Sequence, residues 1–200
     1  MLANTFAVES FIDELAHAAS ADPLEFRLQQ LPAGEEGERF RKVLTAAAEK
    51  AGWSTSAPAG RARGLACCTD VGTICAQVAE VSVEGGSIRV HKVTSAIDPG
   101  LIVNPDGVRA QTEGAITMGL SSTLIEEARI ENGRVHADNF DAYPLITMKE
   151  APDIEVALLQ SGNTPHGVGE PPIGPIAAAV GNAVFALTGQ RLRQLPLKLA

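Results

Sequence analysis

A change of hydrophobic period near residue 60 constrains the fold of this chain more than any other feature. Upstream of it, apolar residues recur every three to four positions. Val8, Phe11, Ile12, Leu15 and Ala19 would form the inward face of a first helix. Asp22-Pro23 opens a second, with Asp at the N-cap, Pro at N1 and Glu25 at N3. Phe40, Val43, Leu44, Ala47 and Ala51 line a third, which ends at Gly52. Downstream the period falls to two. ICAQVAEVSVE (74–84) and SIRVHKVTSAI (87–97) meet at Gly85-Gly86, a pair that supplies the positive φ of a tight hairpin. A second hairpin is predicted at Asn132-Gly133, between EEARIE and RVHADNF, and a last strand over IEVALL, 154–159. These elements predict an α+β fold, a mostly antiparallel or mixed sheet with packed helices. The expected organisation is a helical segment over 1–57 and an α+β unit over 58–200, with STSAPAG (54–60) reading as a linker.

Two helices interrupt the strands. Asn104-Pro105 caps and opens one that runs to about Leu124. Gly107, Ala110, Gly114, Thr117 and Ser121 give it a face of small side chains, which admits close approach of another backbone or of a flat cofactor. Gln111 stands beside that face with an amide able to hydrogen-bond. The other helix follows HGVGEPPIGP (166–175), where Ile173, Ile176, Val180, Val184 and Leu187 make an apolar stripe, Pro175 suits N1 and Gly189 ends the run.

Glu170 is the acid at the centre of that Gly- and Pro-rich stretch. A carboxylate near a helix N-terminus can serve as an electrostatic cap. The same acid on a backbone restricted by Pro171 and Pro172 can serve as a general base. A metal ligand is disfavoured, since His17, His91, His136 and His166 lack zinc-type spacing, and no protein-ligated metal is expected. Gly167-Val168-Gly169 is followed by Pro172 where a dinucleotide fingerprint needs its third glycine, and no P-loop or serine-nucleophile elbow is present. A net charge of −8 argues against nucleic acid and anionic membrane as partners. No apolar run is expected to reach spanning length, and MLANTFAVES does not read as a signal peptide. The expected setting is soluble, cytoplasmic or periplasmic. Cys67, Cys68 and Cys75 read as small buried strand residues and not as a disulfide framework or a four-thiolate cluster.

The order FAVESFIDELA, DPLEFR, AQVAEV, DPGLIVNPDGVRAQTEGAITMGL, NFDAYPL, GVGEPPIGPIAAAVGNAVFALTG and RLRQLPL resembles the C-terminal part of the molybdopterin-binding catalytic subunit of the xanthine dehydrogenase and aldehyde oxidase family, in particular the β subunit of isoquinoline 1-oxidoreductase. The resemblance implies a molybdenum hydroxylase that oxidises an N-heteroaromatic or an aldehyde with water-derived oxygen. It implies Glu170 as the general base, and Gln111 and Gly169 as contacts of a molybdenum–molybdopterin cofactor, with the cytosine dinucleotide form among the expected variants. Iron–sulfur clusters are expected on a partner subunit, and the rest of the pocket on the N-terminal half of the catalytic subunit, which precedes Met1. The alternative is a remnant or an assembly module that holds no cofactor.

Overall fold

The computed structural model describes residues 1–199. Three helices open the chain: α1 (Leu2–Ala18), α2 (Pro23–Gln30) and α3 (Glu35–Ala51). Strands β1 (Arg61–Asp70), β2 (Thr73–Glu84) and β3 (Ser87–Asp98) follow as an antiparallel meander. After α4 (Pro105–Leu124) and a short β4–β5 ribbon (Ile130–Glu131 and Arg134–Val135), strand β6 (Asp153–Leu158) joins β3 in parallel. The main sheet has the order β1-β2-β3-β6 and is therefore mixed. A 3-10 turn, Pro171–Ile173, leads into the last helix, α5 (Ile176–Thr188).

Local chemistry accounts for most boundaries. Asp22 Oδ1 accepts from Leu24 N and Glu25 N at 2.8 and 3.1 Å, and Asn104 Oδ1 accepts from Gly107 N at 3.0 Å, so both predicted caps form. Gly52 ends α3 in the left-handed region at φ 66°. Gly85 and Gly86, at φ 56° and 80°, close the β2–β3 hairpin. The ribbon at Asn132-Gly133 also forms, but with two residues per strand in place of the longer runs expected.

The sheet is packed on both faces. Val43, Leu44 and Ala47 of α3 meet Leu65, Ile74, Ala76 and Val78 on one side. On the other, α5 lies against Ala66, Ala79, Val81 and Val93, with α1 and α4 beyond it. Helix α5 is consequently buried on all sides from Ile176 to Val184, more than the single stripe predicted. Its close approach to β1 needs Gly64, where a Cβ would stand 2.2 Å from the Ala179 carbonyl oxygen. The stretch Pro171–Thr188 is long and apolar enough to cross a membrane, contrary to the sequence expectation, but 72% of it is buried within the fold as core.

Helix α1 corrects a second expectation. Its inward face carries Phe6, Glu9, Asp13 and Ala16, while Val8, Phe11 and Leu15 are exposed. Ion pairing decides the orientation. Glu9 Oε2 accepts from Arg27 Nε at 3.0 Å and from Cys67 N at 2.9 Å, and Asp13 Oδ2 accepts from Arg191 Nη1 at 2.7 Å. Turning the helix to bury its apolar stripe would leave two arginines without carboxylates.

Candidate functional site

The loop of residues 166–175 lies across the ends of β1 and β2. His166 N donates to the Pro99 carbonyl at 2.9 Å, and its ring packs on Gly72 in the β1–β2 turn, whose φ of 83° favours glycine. Thr73 Oγ1 donates to the Gly167 carbonyl at 2.7 Å, Cys68 Sγ to the Pro171 carbonyl at 3.3 Å, and Gln77 Nε2 to the Pro172 carbonyl at 2.6 Å. Pro171 and Pro172 have no N–H, so this part of the loop is held mainly through its carbonyls.

Glu170 stands at the head of the 3-10 turn, where its carbonyl accepts from Ile173 N at 2.9 Å. Its side chain is exposed and caps nothing. The carboxylate therefore makes no capping hydrogen bond. Helix α5 begins six residues later, with Pro175 at its N-cap and not at N1. The Glu170 carboxylate borders an open cleft of about 600 Å³ lined also by Met1, Asn4, Thr5, Thr69 and Asp70.

Gln111 and Gly169 are brought together. A Cβ on Gly169 would lie 3.3 Å from Gln111 Nε2. The Gln111 side chain is exposed, and Gly114, one turn on, faces open space. Gln111 does not line the cleft that Glu170 borders. The small-residue face of α4 divides. Ala110 and Gly114 are exposed, Gly107 is half-buried under the Asn104 side chain, Ser121 is buried and accepts from Ile146 N at 3.0 Å, and the close helix contact falls on Gly119, against Ile176.

The cysteine thiols are held neutral. Burial, then the neighbouring Glu9 charge, pushes Cys67 up, and burial with Cys75 and Glu9 pushes Cys68 up. Cys75 is pushed up to about 11 by burial, against hydrogen bonds from Ser95 and Gln77. A protonated Cys68 can donate to Pro171 as the geometry requires. Among the described residues, no group of three or more His, Cys, Asp and Glu side chains converges to hold a metal ion. Sequence reasoning missed the roles of Cys68, Thr73 and Gln77. The one available signal was Gln77 itself, an amide at a core-facing position of a strand otherwise rich in Ala and Val.

Comparison with known proteins adds to this geometry. The molybdopterin cofactor-binding domain family matches residues 5–152. The chain is 36% identical over 98% of its length to "Isoquinoline 1-oxidoreductase subunit beta" of Brevundimonas diminuta, of which it covers 25%. It is also 36% identical over 98% of its length to "Membrane-bound aldehyde dehydrogenase [pyrroloquinoline-quinone]" of Gluconacetobacter polyoxogenes, of which it covers 28%. The crystal structure of the aldehyde oxidoreductase from Desulfovibrio desulfuricans superposes with a TM-score of 0.56 at 28% identity, over 62% of this chain and 14% of that one. The chain thus spans about a quarter of the length of these two curated relatives.

Proposed function

The chain belongs to the molybdopterin cofactor-binding domain family, and on that premise we propose that it forms the part of a molybdenum hydroxylase that presents a general base, Glu170, next in sequence to the cofactor contact Gly169, with Gln111 as a second contact. The observation that carries the reading is the meeting of Gln111 Nε2 with Gly169, one residue before the exposed acid. The residues fit a large flat group. Gly114 faces open space, and the Gln111 amide, which lies against Gly169, has both donors and an acceptor.

The cofactor proposed is molybdenum–molybdopterin, with the cytosine dinucleotide form among its variants. One relative's name carries a quinone instead, but the family match supports the pterin. When bound, the group supplies Lewis acidity and accepts two electrons from the substrate. Gln111 and the Gly169 backbone hold and orient it. Glu170 removes a proton from the water-derived oxygen nucleophile, and the substrate is an aldehyde or an electron-poor N-heteroaromatic, the classes named in the two relatives. The remainder of the catalytic subunit closes the cleft over Glu170, and a partner subunit carries iron–sulfur clusters that remove the electrons. The test is assembly with that remainder, followed by metal and pterin analysis and by assay with both substrate classes. Stoichiometric molybdenum and turnover support the reading; assembly without either contradicts it.

A second reading is an assembly module without cofactor. It draws on the chain segment between α4 and β6, where Phe140 is 95% and Met148 92% exposed, side chains that a partner would cover. Full assembly through this segment with no molybdenum retained would favour it.

A further inference from the structure

We infer that Gln77 is a positioning residue, which fixes the loop that presents Glu170 to the reaction. The inference rests on the reading of Glu170 as general base. Gln77 lies on β2, on the face toward α5, in line with Ala79 and Val81 of the core, and its side chain is fully buried. Folding alone favours an apolar side chain there, because the amide oxygen is buried with no hydrogen-bond partner among the described residues. What the amide does have is one short bond, Nε2 to the Pro172 carbonyl at 2.6 Å, with Cys75 Sγ as a weak second acceptor at 3.7 Å. The reversed amide would set its oxygen against that carbonyl, so the acceptor fixes the orientation.

The bond matters because of where it falls. Pro171 and Pro172 cannot donate, so the turn after Glu170 is held to the sheet through its carbonyls. The Cys68 thiol on Pro171 is a weak donor at 3.3 Å, and Thr73 grips Gly167, on the other side of the acid. Gln77 is the strong donor that anchors the loop on the helix side of Glu170. A general base works only within hydrogen-bond reach of its proton, so a loop displaced by about 1 Å can cost up to 10²-fold.

Gln77→Met keeps the length and removes the donor. In the assembled enzyme, kcat is expected to fall about 10- to 100-fold with KM within about twofold, the mark of a displaced acid and not of lost substrate binding. Hydrogen exchange across 167–175 is expected to rise about tenfold at Ile173 and Gly174, the size of one lost hydrogen bond, while the interior of α5 stays protected. Glu170→Gln is the parallel arm. If Glu170→Gln is slow while Gln77→Met keeps wild-type kcat or unchanged exchange in the loop, the positioning role is overturned and the base reading stands. If Glu170→Gln keeps full rate, the base reading fails and takes the positioning role with it. Should Gln77→Met not fold, Gln77→Asn, which falls short of Pro172, replaces it with the same expected readings.

Discussion

The Gln111 amide nitrogen occupies the space beside Gly169 that a side chain on that glycine would need, 3.3 Å from an added Cβ. The contact is tight but not closed. Gln111 is an exposed, flexible side chain and can yield by a few tenths of an ångström. Gly169→Ala is therefore expected to leave stability within about 0.5 kcal/mol of wild type, as for a surface substitution. Its effect should fall on the cofactor, because the yielding amide leaves its place. Molybdenum and pterin content after assembly checks this, and undiminished content would remove Gly169 from the contact surface.

Glu9 links three elements, accepting from Arg27 of α2 and from the backbone N–H of Cys67 in β1. Arg27 Nη2 also bonds the Glu9 carbonyl at 3.0 Å, and the pair is buried. Glu9→Ala strands the guanidinium and is expected to cost about 3–5 kcal/mol. Phe11→Ser, on the exposed face of the same helix, should stay within about 0.5 kcal/mol. Urea unfolding of the two variants orders them. The reverse order would mean that α1 buries its apolar stripe after all.

Asp98 ties α3 to the site loop. It accepts from Arg39 Nε at 2.8 Å, from Gly100 N at 2.9 Å and from Ser161 Oγ at 2.9 Å, and the next residue, Pro99, receives His166 N. Burial works to raise its carboxyl, but the hydrogen bonds from Arg39, Gly100 and Ser161, with the Arg39 charge, hold it below the ordinary 3.8. A depressed folded-state value stabilises the fold above the ordinary pKa, and that contribution is lost as pH falls through the folded value. Wild type should therefore lose stability more steeply than Asp98→Asn below pH 3.8. Urea midpoints between about pH 5 and pH 2 measure the slopes, and parallel curves would contradict the assignment.

Caps and turns were legible from the chain because their chemistry is local. Asp22, Asn104, Gly52 and Gly85-Gly86 each act within a few residues of where they sit. The orientation of α1 was not. Both candidate faces share the helical period, and the choice rests on partners 18 and 178 residues away, Arg27 for Glu9 and Arg191 for Asp13. The same holds at the site. Glycines and prolines announced a fixed loop around Glu170, but the carbonyls that Cys68, Thr73 and Gln77 grip leave no trace in a list of side chains.

If the Glu170 carboxylate moves a proton during turnover, as proposed, replacing that one group in the assembled, cofactor-loaded enzyme reveals it most directly. The exposed Glu170 side chain makes no capping hydrogen bond, so Glu170→Gln should fold and assemble as wild type does. The account predicts unchanged molybdenum content and a kcat lower by about 10²–10⁴. A Glu170→Gln enzyme that turns over at the wild-type rate would contradict it.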